Sequence, residues 1–292
     1  MASGDTFVAQ VEEGLNTMVA SAIRRRQFAT DVMSRVCDRQ TLSEGTGTAW
    51  REFLVENLTA QNYGETDDID NAQQFDASVQ EFTPQLVAIR TFLGKRVQAR
   101  LSPKAYAQFG NVAQEAIQRK KNVDGHAVFA SATTTLCGTG TTMHSGYIMA
   151  GARRITSDAT EPGPQPLCAV LHGYGIYDLQ TEIIAGVGTY PVPEGMTAEV
   201  FRNGFKGMVG DVNVYEDGLI ALTSTPDARG GVFSKMALLL VQGIAPWKET
   251  RYEPQKGYGG WSVWLKDEYV WGERSAGNWL YGILHDAAAP TS

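Results

Sequence analysis

Cysteine, histidine and long apolar runs are scarce in this chain, and each scarcity removes a class of function. Its three cysteines, Cys37, Cys137 and Cys168, are odd in number and far apart, so nothing calls for a disulfide framework or a paired-cysteine metal site. Reduced, buried thiols are the expectation. The four histidines, His126, His144, His172 and His285, include no pair at helical metal-ligand spacing. The longest apolar run, Met236 to Val241, is far too short to span a bilayer. The opening stretch MASGDTFVAQVEEG is acidic and has no apolar centre, unlike a signal peptide. No membrane association is expected.

Catalytic templates are missing too. The chain has no nucleophile elbow, no phosphate-cradling glycine loop ending in Lys-Ser or Lys-Thr, and no zincin pair. GTGTTM at Gly138 and GVGTYP at Gly186 lack the third glycine of a dinucleotide fingerprint and read as turns. Asp67-Asp68-Ile69-Asp70 lacks the glycine and closing glutamate of a calcium loop. His172, before Gly173 at a strand end, is the one histidine placed like an active-site residue, with Cys168 or Ser145 as conceivable nucleophiles. No cofactor or metal is expected.

What remains is a folded protein. Of 292 residues, 43% are hydrophobic and 20% charged, as in globular domains. The length suits one large domain or two ordinary ones. A net charge of −7 and a pI near 5.2 argue against a protein that coats nucleic acid. Gly 31 against Pro 11 points to many tight turns and much β structure.

The longest regular pattern is Ser102 to Ser131. Ala105, Phe109, Val112, Ala116, Ile117, Val123, Ala127 and Val128 fall at helical spacing on one face, and Gln114, Arg119, Lys120, Lys121 and Asp124 mostly on the other. Ser102-Pro103 makes a good helix start, and Gly110 is a possible break. Before it, Val8, Val11, Leu15, Met18, Val19 and Ile23 outline an amphipathic helix followed by Arg24-Arg25-Arg26. That stripe needs a partner surface.

Between Thr46 and Lys95 the pattern predicts a two-armed hairpin with an acidic tip, although Trp50 to Leu58 suits helix as well as strand. Its tip carries Glu65, Asp67, Asp68, Asp70 and Asp76. The phase of the second arm slips at Gln80-Glu81, as at a bulge. Arms of about 12 residues would reach roughly 40 Å, and a ribbon of that kind is marginal alone.

Beyond the helix, the spacing predicts a helix over Met143–Ile155, a buried strand over Leu167–Leu171 and a helix over Tyr174–Ala185. It predicts a hairpin turning at Glu216-Asp217-Gly218 between Val209–Tyr215 and Leu219–Leu222, and one strand over Phe233–Val241. Residues 246–285 hold five of the six tryptophans, with Trp264–Trp271 a strand wet on one face.

Four passages carry a family likeness in their succession: LTAQNYGETDDIDNAQQFDASVQEFTP from Leu58, AIQRKKNVDGHAVFA from Ala116, PLCAVLHGYGIYDL from Pro166 and GGVFSKMALLL from Gly230. In this the chain resembles the major capsid proteins of tailed double-stranded-DNA bacteriophages, whose shell fold encapsulins share. The resemblance implies an α+β fold with an N-terminal arm (1–45), an extended β-hairpin loop (46–95) that reaches over a neighbour, a peripheral domain with a long spine helix (96–135), an axial domain (136–245), a return to the peripheral domain (246–272) and an axial closing strand with the C-terminus (273–292). It implies no enzymatic activity. The implied role is self-assembly into pentamers and hexamers of an icosahedral virion head, built in the bacterial host cytoplasm. The implied partners are further copies of the chain, a portal, and separate scaffolding or decoration proteins. DNA would be enclosed without sequence-specific binding. Relatives that cross-link use a loop lysine, and the chain has none between Thr46 and Gly94. At the subunit interface, Asp67, Asp68 and Asp70 are expected to meet Arg119, Lys120 and Lys121 of a neighbour. An encapsulin-like compartment and a small α+β hydrolase using His172 are the alternatives.

Overall fold

The computed structural model describes residues 32–43, 47–55, 58, 60, 62, 64, 77–99, 103–187, 207–223, 225–256, 259–274 and 277–290. The expected arm helix over Val8–Ile23 and the acidic tip, Asp67, Asp68 and Asp70 included, lie outside them.

In chain order the elements are α1 (Val32–Val36), β1 (Asp38–Thr41), β2 (Trp50–Val55), β3 (Ala77–Phe82), β4 (Gln85–Gly94), α2 (Lys95–Gln98), α3 (Pro103–Ala127) and β5 (Thr135–Cys137). They continue as α4 (Ser145–Thr156), β6 (Leu167–Leu171), α5 (Gly173–Val187), β7 (Met208–Val209), β8 (Val212–Glu216), β9 (Asp227–Ser234), β10 (Leu238–Gln242), β11 (Trp247–Glu253), β12 (Gly260–Glu273) and β13 (Leu280–Asp286).

Two sheets and a ribbon follow from the pairing. The six-stranded sheet runs β5-β13-β9-β6-β8-β7. Its central strand β6 is buried on both faces, which explains its unbroken apolar run. Leu167, Ala169 and Leu171 join a cluster with Ile148 and Ile155 of α4 and Ile176 and Leu179 of α5. Cys168 and Val170 face the other way, into a second cluster with Phe129, Phe233, Leu238 and Tyr269. The other sheet is organised on β12, which pairs with β10, β11 and β4; β1 adds to β10. The long helix α3 spans this junction. Gly125 lets Trp271 and Met33 come within 3.0 and 3.1 Å of where a Cβ would stand. The Trp271 indole donates to the Lys121 carbonyl at 2.8 Å.

Several expectations need correction. Gly110 does not split α3. The expected apolar stripe of that helix is only partly its buried face: Ile117 is inside, but Val112, Ala116, Val123 and Ala127 are exposed, and Asn122, Gly125 and His126 are buried beside Ile117. The Phe233–Val241 run is two strands, broken by a turn in which the Ala237 amide bonds the Ser234 carbonyl. Those strands lie in different sheets. The hairpin expected at Glu216-Asp217-Gly218 turns instead at Gly210-Asp211, both at positive φ, between β7 and β8. The phase slip at Gln80-Glu81 is not a bulge. The strand ends at Phe82, and after Thr83-Pro84 the chain restarts as β4 in another sheet, as a residue with no N–H favours.

Candidate assembly surfaces

The ribbon β2–β3 is two-stranded, with Phe53 opposite Val79 and Arg51 opposite Glu81. Alternation puts Arg51, Phe53 and Val55 on one side and Trp50, Glu52 and Leu54 on the other. The first set is open. Phe53 is 73% exposed and Val79 53%, and Val55 and Leu86 are also out. A polar segment would leave such a ribbon indifferent to company, but an apolar face of this kind favours a partner.

The second set meets the body at the root of the ribbon. Arg274, at the end of β12, donates from Nε to Glu52 Oε2 and from Nη2 to Oε1, both at 2.7 Å. Its Nη1 lies 2.6 Å from Asp38 Oδ2 and donates to the Met236 carbonyl at 3.2 Å. One guanidinium therefore joins the ribbon, β1, β12 and the β9–β10 turn, using the planar fork that lysine lacks. Burial pushes the Glu52 and Asp38 carboxyls up. Hydrogen bonds outweigh it, from Arg274 and Trp50 onto Glu52 and from Gln40 and Arg274 onto Asp38, and hold both below the usual range. Beside this clamp the Phe82 ring lies over Gly272, where any side chain would overlap it. Farther out, a cleft of about 660 Å³ separates Leu54, Val55 and Ser78 from Pro162 and Trp279.

The basic trio expected at the interface is divided by its position on α3. Lys120 is exposed and pairs with Asp124 at 2.9 Å. Lys121 turns inward, 2.7 Å from the buried Asp267 carboxylate, bonded to Gln242 at 2.9 Å and 4.7 Å above the Tyr269 ring. Arg119 is half-buried.

The polar inner face of α3 bonds to partners distant in sequence, with His126 Nδ1 left without one among the described residues. The Met33 amide donates to Asn122 Oδ1 at 3.0 Å, Asn122 Nδ2 donates to Asp217, and His126 Nε2 lies 2.9 Å from Asp217 Oδ2. Burial raises the Asp217 carboxyl, but His126, the Leu219 amide and Asn122 bring it below the usual range. Pattern reading misses this network, because Asn122 and His126 look like breaks in an apolar stripe.

The residues of the hydrolase reading do not come together. Cys168 sits four residues before His172 along extended chain, ~13 Å, and burial pushes its thiol up to about 11. Ser145 Oγ donates instead to Glu182 at 3.1 Å. Among the described residues, no three His, Cys, Asp or Glu side chains form a metal-binding group, and no helix is long and apolar enough to cross a membrane.

No family profile and no curated protein matches the sequence. Solved structures do match. The capsid of Ralstonia phage GP4 is similar at TM-score 0.70 and 13% identity, over 93% of this chain and 94% of that one. The Cyanophage Pam1 capsid asymmetric unit matches at 0.70 and 11%, over 99% and 100%. The fold is that of phage capsid proteins. An encapsulin complex from Synechococcus elongatus PCC 7942 also matches, at TM-score 0.64 and 8% identity, over 97% of both chains.

Proposed function

We propose that this chain is the structural shell subunit of a tailed-phage head, acting by self-assembly and not by catalysis. The observation that carries the reading is the ribbon face of Phe53, Val55 and Val79, left in the open by a chain that otherwise buries its apolar strands. Full burial of Phe53 or Val79 on a neighbour would stabilise the contact by about 1.5–3 kcal/mol each. The exposed Val112 and Val123 of α3 offer a second apolar surface. Repeated over many copies, such contacts close into pentamers and hexamers of an icosahedral shell.

In this reading β12 with its partner strands and α3 form the peripheral domain, and the six-stranded sheet forms the axial domain around the vertices. The shell encloses double-stranded DNA. A net charge of −7 suits a container whose contents must move, since few phosphates would be neutralised by its wall. A portal and separate scaffolding or decoration proteins complete the virion, which is assembled in the bacterial cytoplasm. Asp67, Asp68 and Asp70 pair with Arg119 and Lys120 of a neighbour, Lys120 exchanging its exposed pair with Asp124 while Lys121 stays on the buried Asp267. Normal particles from the triple variant Asp67→Lys, Asp68→Lys, Asp70→Lys would rule that pairing out.

The encapsulin match favours one second reading, a compartment of the same fold loaded with protein. Negative-stain microscopy of the purified chain, with analysis of what co-purifies, tests both. Shells with nucleic acid support the phage head, shells with a protein cargo support the compartment, and a lasting monomer defeats both.

A further inference from the structure

Two histidines that shell assembly does not use, His172 and His285, lie together beneath the start of α5. His285, near the end of β13, is wholly buried. Its Nδ1 stands 2.8 Å from the Asp286 carbonyl, and a carbonyl only accepts, so the ring proton sits on Nδ1. Nε2 then presents a buried lone pair with no hydrogen-bond partner among the described residues. The ring is pressed against Gly175, where a Cβ would overlap Cε1 and stand 2.8 Å from Nε2. The first turn of a 15-residue helix carries partial positive charge, a poor neighbour for an imidazolium.

His172 links β6 to α5 and is also buried. Its Nδ1 accepts from the Tyr174 amide at 3.2 Å, and its ring meets Tyr174 edge-on at 4.6 Å. Protonation at Nδ1 would destroy that bond. The charged groups around the pair are Asp178 of α5, Asp227 of β9 and Asp286 of β13 near His285, and Glu216 at the end of β8 and Asp217 just after it near His172. Burial outweighs these carboxylates and lowers both imidazoles; His285 lowers His172 further.

We propose that His172 and His285 form a proton-sensitive lock, holding the start of α5 on the six-stranded sheet while both rings are neutral and releasing it when they take up protons. A group with a folded pKa below its unfolded value binds fewer protons in the native state. Its stabilisation is complete above the ordinary imidazole value of 6.5 and is lost as pH falls from there toward the folded value. The lock belongs to the single subunit and works whether or not the chain forms a shell.

Hydrogen exchange on the full chain at about pH 7.5 and about pH 5.5, on either side of the ordinary imidazole value of 6.5, tests it. Protection factors over residues 173–178 are expected to fall relative to those in β12, by at most about tenfold for each ring, the bound set by about pH 5.5 lying below the ordinary imidazole value of 6.5. The double variant His172→Gln, His285→Gln should lose that pH dependence. Unchanged protection in the wild type, an equal fall in β12, or a fall kept in full by the variant would each overturn the lock. Should the variant not fold, NMR titration of the wild-type imidazoles decides: both below the ordinary value supports the lock, either at or above it overturns it.

Discussion

In β6 every side chain from Leu167 to Leu171 is buried, whereas in β2 each second side chain, Phe53 and Val55 among them, points to solvent. Both are short apolar strands of the same chain. The first has β8 and β9 on its two edges and a hydrophobic cluster on each face. The second has a single described neighbour, β3, and a clamp at its root. The difference teaches where this molecule is finished and where it is open: the six-stranded sheet completes its own core, and the ribbon keeps apolar side chains exposed.

The largest expected effect sharpens the finished side. Phe129 is fully buried, 5.5 Å from Phe233 between the two sheets, so Phe129→Ala should cost about 3–5 kcal/mol in urea unfolding of the subunit. Next comes the interior charge pair. Lys121→Ala strands the buried Asp267 carboxylate and should cost about 3 kcal/mol. Lys120→Ala removes only an exposed i,i+4 pair and should cost about 0.5 kcal/mol or less. The same denaturation series measures both, and equal losses would mean that the inward placement of Lys121 is wrong.

A smaller, local effect is expected at the join between the two regions. Arg274→Ala should lower hydrogen-exchange protection in residues 50–55 and 77–82 while that of β6 stays as it was. Acid should do the same. The depressed Glu52 and Asp38 carboxyls stabilise the clamp above their ordinary values of 4.5 and 3.8, and that contribution fades as pH falls through their lower folded values. The loss lies well below the histidine window, so the two pH responses separate. Smallest of all, Phe53→Ser should shift subunit stability by no more than about 0.5 kcal/mol, as expected for a surface site.

The finished region was the more legible in the sequence. Leu167–Leu171 and the helix after it announce themselves, because a strand buried on both faces is a plain apolar run and the glycine that follows marks its end. The limits of α3 were also readable, but its inner face was not. The partners of Asn122 and Lys121 are Asp217 and Asp267, far along the chain, and periodicity records burial without recording what satisfies a buried polar group. The run Phe233–Val241 misled because an apolar stretch does not reveal that the chain changes sheets at Lys235–Ala237. At the candidate surfaces the second arm of the ribbon was foreseeable from its alternation, whereas Trp50 to Leu58 suited helix as well as strand. Arg274 was not, since a lone arginine carries no pattern, and Gly272 shows its purpose only when Phe82 lies over it.

Assembly of the purified chain and of the variant Phe53→Asp, Val79→Asp, compared by sedimentation at equal concentration, tests the need for a partner surface most directly. The account predicts megadalton particles from the wild type and well-folded, unassembled subunits from the variant. Particles from both, or a stable monomer from the wild type, would contradict it.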